Sequence, residues 1–167
     1  MRVYVGVTLR DLDRLVDAGE LGPAPVEAYA VTGPLTAALT TTNAPDPEEL
    51  EFAATEDAAR ASLGAIAGAG GEPRRVVVAA EVDDAVVRPD PARGDSAVVL
   101  DSAVALRTVR AVHIDDAEAV PAVTAAVRTI DPDRIADGPE EDVLDALAEH
   151  QLLWYASQEI AQLAGKD

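Results

Sequence analysis

The chain has no cysteine, one lysine, Lys166, and very few aromatic residues: one Trp, one Phe and three Tyr in 167 residues. The first absence excludes disulfides, thiolate nucleophiles and thiolate metal sites. The near-absence of lysine is part of a wider deficit, since 13 basic residues face 31 acidic ones and the formal net charge is −18. Nucleic acid needs a basic face, and the only basic cluster is Arg74-Arg75, so this partner class is set aside. A solvated acidic surface that keeps a small protein soluble is the plain reading of the charge. No apolar run approaches the ~18 residues of a membrane span, and the opening Arg2-Val-Tyr-Val-Gly-Val-Thr8 reads as a strand, not as a signal peptide. The expectation is a cytoplasmic protein with no membrane contact, folded as a single globular domain over residues 1–167.

Hydrophobic periodicity then organises the chain. Val3, Val5 and Val7 alternate with Tyr4, Gly6 and Thr8, the period of a half-buried strand. A helix from Leu9 to about Ala18 and a strand from Val26 to Val31 complete a strand-helix-strand unit, which predicts a right-handed crossover and a parallel pair. Thr32 caps a short helix reaching Leu39. Asp46-Pro47 with Glu49 forms a capping box with proline at the first helical position, the strongest helix start in the chain. That helix carries two apolar stripes, Leu50-Ala54-Ala58-Ala61-Ala65 and Phe52-Ala59-Leu63-Ile66, and ends at Gly68-Ala-Gly-Gly71. Val76–Ala80 suits a central strand covered on both faces. Short strands follow at Val86-Val87, Ala97–Leu100, Val104–Leu106 and Val109–Ile114, spaced too closely for crossover helices and so antiparallel. Helices from about Asp116 to Ile130 and from about Pro139 to Leu163 close the chain. The expected fold is α/β (α+β): one mixed sheet of about five strands, opening with a βαβ unit, flanked by helices and ending in a long C-terminal helix.

That last helix contains an inconsistency. Val143, Leu144, Leu147, Trp154 and Tyr155 share one side, while Leu152, Leu153, Ala156, Ile160 and Leu163 lie nearly opposite, so the apolar face changes near His150. Either the helix breaks there, or two different surfaces enclose its second half.

The rare side chains concentrate in the same segment, His150-Gln-Leu-Leu-Trp-Tyr155. Trp and Tyr join a large apolar body to a polar tip, so they serve a core or anchor a partner equally well. His150, Trp154, Tyr155 and Gln158 are therefore the candidate binding residues, with core packing as the competing role; Glu159 lies about 180° from His150 on a straight helix and cannot pair with it there. His113 and Asp115 offer metal-ligand types on one side of a strand, but two ligands make a weak site, and a satisfied, partly buried histidine beside Val109 and Ala111 is the plainer reading, with Asp115 or Asp116 capping the next helix. No metal and no cofactor is expected. Asp131, Asp133 and Asp137-Gly138 miss the spacing of a calcium loop, and Arg93-Gly94-Asp95 is a turn.

Four stretches carry a family resemblance: Met1-Arg-Val-Tyr4; Ala30-Val-Thr32 with Glu49-Leu-Glu-Phe-Ala53 and Ala58-Ala-Arg-Ala-Ser-Leu63; Arg74-Arg-Val-Val-Val-Ala-Ala80 with Ala111-Val-His-Ile-Asp-Asp116; and His150–Tyr155 with Gln158-Glu-Ile160. Together they resemble an actinobacterial family of small uncharacterised proteins, a domain of unknown function, over nearly the whole chain. The resemblance implies one cytoplasmic domain and supplies no catalytic residue. Two functional readings follow. The residues favour a non-enzymatic protein acting through contacts with an unknown protein partner or with itself, because no nucleophile, metal set or cofactor loop has the required spacing. The alternative is a small enzyme or metabolite-binding protein drawing on His113, His150, Tyr155 and Gln158 near the C-terminal helix. Both histidines lining one concave pocket would favour the alternative.

Overall fold

The computed structural model describes residues 1–130 and 141–164, with the backbone alone for 141 and 142. Its strands are β1 (Arg2–Val7), β2 (Glu20–Leu21), β3 (Val26–Ala30), β4 (Val76–Glu81), β5 (Val87–Pro89), β6 (Ala97–Leu100), β7 (Val104–Ala105), β8 (Val109–Ile114) and β9 (Leu153–Ala156). Its helices are α1 (Leu9–Ala18), α2 (Gly33–Leu39), α3 (Pro47–Ala69), α4 (Val120–Thr129), α5 (Glu141–Ala148) and α6 (Ile160–Leu163).

Seven strands form one sheet in the order β5-β6-β3-β1-β4-β8-β9, with every neighbouring pair antiparallel. Strand alternation divides its core. Val3, Val5, Val7, Val76, Val78 and Ile114 face α1 and α6, joined by Leu12, Leu15 and Ile160. Tyr4, Val77, Ala79 and Ala111 face the other way and meet Leu50, Ala54 and Ala58 of α3. Further along, α3 turns Leu63 and Ile66 toward α4 and α5, where Val123, Ala126 and Leu147 are also buried. The fully buried leucines contribute roughly 1.5–3 kcal/mol each.

Two local devices set the frame. Thr8 accepts from the Asp11 N–H at 3.2 Å while Asp11 accepts from the Thr8 N–H at 3.0 Å, a capping box that starts α1. The second is Gly6. A Cβ there would stand 2.0 Å from the Ala58 carbonyl oxygen and 2.7 Å from the Ser62 nitrogen, so only glycine lets the α3 backbone lie directly on β1. Ser62 exploits that approach: its hydroxyl donates to the Val7 carbonyl at 2.6 Å and accepts from the Val76 N–H at 2.9 Å, stitching helix to sheet.

Several expectations are corrected. The β1 and β3 strands are antiparallel, not parallel, because the segment 19–25, including β2, returns the chain to the Val7 end of β1 before β3 begins. The sheet is wholly antiparallel with seven strands, not mixed with about five, and β2 pairs with β7 in a separate ladder. The long C-terminal helix is replaced by α5, β9 and α6. From Leu152 to Ala156 the apolar residues form a run with aromatic β-formers, and the open edge of β8 gives them a ladder to join. The change of apolar face at His150 thus marks a break between helix and strand. Asp116, as one alternative had it, accepts from the Ala119 N–H at 3.0 Å and caps the turn into α4. Asp131, Asp133, Asp137-Gly138 and the expected helix start at Pro139 fall outside the described residues.

Candidate functional site

Between α3 and the last two strands lies a groove of about 700 Å³, within the size range of small-molecule sites. Sheet residues make its floor. Tyr4, Ala79, Ala111 and His113 project from β1, β4 and β8 on the α3 face. The register places Trp154 of β9 directly across from His113, so the two side chains share that face.

One wall is a face of α3. Glu48, Phe52, Thr55 and Glu56 recur at the three- and four-residue spacing of one helix side, with Glu51 beside them. Phe52 belongs to the second apolar stripe of α3, yet it is 66% exposed. The other wall is the connection from α5 to β9, with Leu147, Ala148, His150, Gln151 and Leu152. That connection is held from within. Asp115, wholly buried, accepts from the Arg75 N–H at 2.7 Å, from Nε at 2.9 Å and from Nη2 at 2.8 Å. The same Nη2 donates to the His150 carbonyl at 2.9 Å. A buried, bidentate ion pair at the junction of β4 and β8 therefore positions the His150 backbone.

Electrostatically the groove is acidic. Arg2 is shared between Glu81 at 3.1 Å and Glu51 at 3.4 Å, whereas Glu48 and Glu56 have no cationic partner among the described residues. Burial pushes the Tyr4 phenol up to about 12, and the neighbouring Glu51 carboxylate adds to the shift. Burial also holds the His113 imidazole below its ordinary value, which favours its neutral form, one ring nitrogen donating and the other accepting.

The four candidate binding residues separate into two pairs. His150 and Trp154 line the groove together with His113. Tyr155 points to the opposite face, where it packs on the α1 side of the core, and Gln158 borders a different, smaller cavity there. Trp154 is 62% exposed, so it is not a core residue. Asp115 is taken up by Arg75 and faces no metal position, and no group of three or more His, Asp or Glu residues among those described is arranged to hold a metal ion. The sequence did not single out Tyr4, Glu48, Thr55 or Glu56 of the groove. Tyr4 stood out only as one of five aromatics.

The chain belongs to a family of unknown function (DUF6912), whose model matches residues 1–164. Neither a curated protein nor a solved structure matches it. No helix among the described residues is long and apolar enough to cross a membrane.

Proposed function

We propose that this is a non-enzymatic binding protein whose groove between α3 and β8–β9 receives a small organic molecule with a flat apolar part. The observation that carries the proposal is the exposure of the only tryptophan and the only phenylalanine, Trp154 and Phe52, in a groove that also holds both histidines. Exposed aromatic rings bordering a concavity lose little on ligand binding and gain stacking and desolvation. His113 supplies a neutral donor and acceptor at the floor, and Gln151 adds an amide. Glu48 and Glu56, which have no cationic partner among the described residues, favour a cationic or neutral ligand over an anionic one. The test is to purify the chain from the cells that make it, denature it, and identify released small molecules by mass spectrometry. A compound with an aromatic or planar group is expected from the wild type, and Trp154→Ala with His113→Asn should lose it. Release of the same compound by that variant contradicts the assignment.

One observation supports a second reading, contact with a protein partner or a second copy. Leu153 and Trp154 are exposed on β9, an edge strand of the sheet, and open edges invite strand pairing. Concentration-dependent mass in light scattering, abolished by Leu153→Glu, is the outcome expected of that reading.

A further inference from the structure

On the opposite face of the sheet, a second cavity of about 300 Å³ is rimmed by Arg107, Arg110, Ser157 and Gln158. Its floor is apolar and includes Val16, Val109 and Ile160. In a chain of charge −18, arginines are readily paired, and those at 2, 14, 60, 74, 75, 88 and 93 each hold a carboxylate. Arg10, Arg107, Arg110 and Arg128 hold none among the described residues, and of these four Arg107 and Arg110 line this cavity. No acid lines the cavity. Glu159, the acid next to Gln158, is committed elsewhere, accepting from the Ala156 N–H at 2.8 Å.

The backbone explains how two such arginines reach one place. Ala79 pairs with Ala111 while Ala80 pairs with Val109, so Arg110 is an extra residue bulged out of β8. Successive strand residues ordinarily point to opposite faces. Here Val109 and Arg110 line the same cavity, the re-aiming of a side chain that bulges produce. Arg107 comes from the 3-10 turn just before β8, and Ser157 from the turn after β9.

We infer that this cavity is a binding site for a phosphate monoester of a small organic molecule. Two guanidinium groups offer forked donors matched to phosphate oxygens, the Ser157 hydroxyl and the Gln158 amide add neutral donors, and the apolar floor takes the organic part. This site is separate from the groove and stands whether or not the groove binds a ligand.

The probes are phenyl phosphate and inorganic phosphate, titrated by calorimetry and by amide NMR shifts with sodium chloride holding ionic strength constant. Saturable binding of phenyl phosphate, tighter than that of inorganic phosphate, is expected, with shifts centred on residues 106–110 and 157–161. Arg107→Gln and Arg110→Gln should each weaken it about tenfold, the loss of one charge-assisted contact. Both side chains lie on exposed residues, and an unchanged unfolding midpoint for each variant will show that the fold is intact. Absence of saturable binding, or equal affinity in the double variant, overturns the inference. Equal affinity for the two probes would remove the organic part of it.

Discussion

Replacing Asp115 by asparagine keeps the side-chain volume and removes one charge from a pair that is almost entirely out of water: the Asp115 side chain is 0% exposed and that of Arg75 is 6%. Three hydrogen bonds reach the carboxylate, from the Arg75 backbone, Nε and Nη2. An uncompensated guanidinium then remains buried, and breaking one side of such a pair costs ~3–5 kcal/mol. Against a total stability of ~5–15 kcal/mol this is a large fraction. In a chain of this size it lowers the unfolding midpoint by roughly 6–20 °C. A paired variant, Arg75→Met with Asp115→Leu, removes both charges and should be less damaged than Asp115→Asn. It will not return to wild type, because the Arg75 N–H loses its acceptor and the His150 carbonyl its donor, at ~1–3 kcal/mol for each buried group left unsatisfied. Urea denaturation of wild type and the two variants measures both losses. A loss below ~1 kcal/mol for Asp115→Asn, or a double variant worse than the single, would refute the reasoning.

Other perturbations follow from the same contacts. Gly6→Ala forces a methyl group against the α3 backbone, and since backbone cannot turn aside, the penalty should reach or exceed the ~1–3 kcal/mol of ordinary overpacking; a urea midpoint within error of wild type would contradict it. Trp154→Ala, which would cost ~3–5 kcal/mol for a core ring, should cost less than ~1.5 kcal/mol at a residue 62% exposed. Because burial lowers the folded pKa of His113 below the unfolded value of 6.5, the unfolded chain binds the proton more readily, and stability falls as pH drops from that value toward the folded pKa. His113→Asn should flatten that part of the stability profile measured between pH 7 and 5, and identical slopes would show that His113 is equally basic in both states.

The parts legible in the sequence are those governed by local chemistry. Asp46, Pro47 and Glu49 announce α3, and the structure has both halves of that capping box. The buried run at Val76–Ala80 is the interior strand β4, covered on both faces. What escaped was set by distant partners. Strand direction depends on where residues 19–25 take the chain, and no periodicity encodes that. Leu152–Ala156 is short enough to fit either a helix or a strand, and the free edge of β8 decides it. Phe52 fits a helical stripe with Ala59, Leu63 and Ile66, yet its place on α3 turns it to the groove wall. Rarity was the better guide to the groove: the scarce Trp and His residues, Trp154, His113 and His150, all line it. It could not separate Trp154 from Tyr155, which one step of strand alternation sends to opposite faces.

The assignment of the groove as a ligand site is tested most directly by the chain's own reporter, since its single tryptophan lines that groove. Trp154 emission should be followed while 2-phenylethylamine, 2-phenylethanol and 3-phenylpropionate are titrated in turn. The account predicts a saturable change, strongest for the amine, weakest for the carboxylate, and weakened by Phe52→Ser or His113→Asn. Linear, non-saturating quenching that is the same for all three probes and both variants would contradict it.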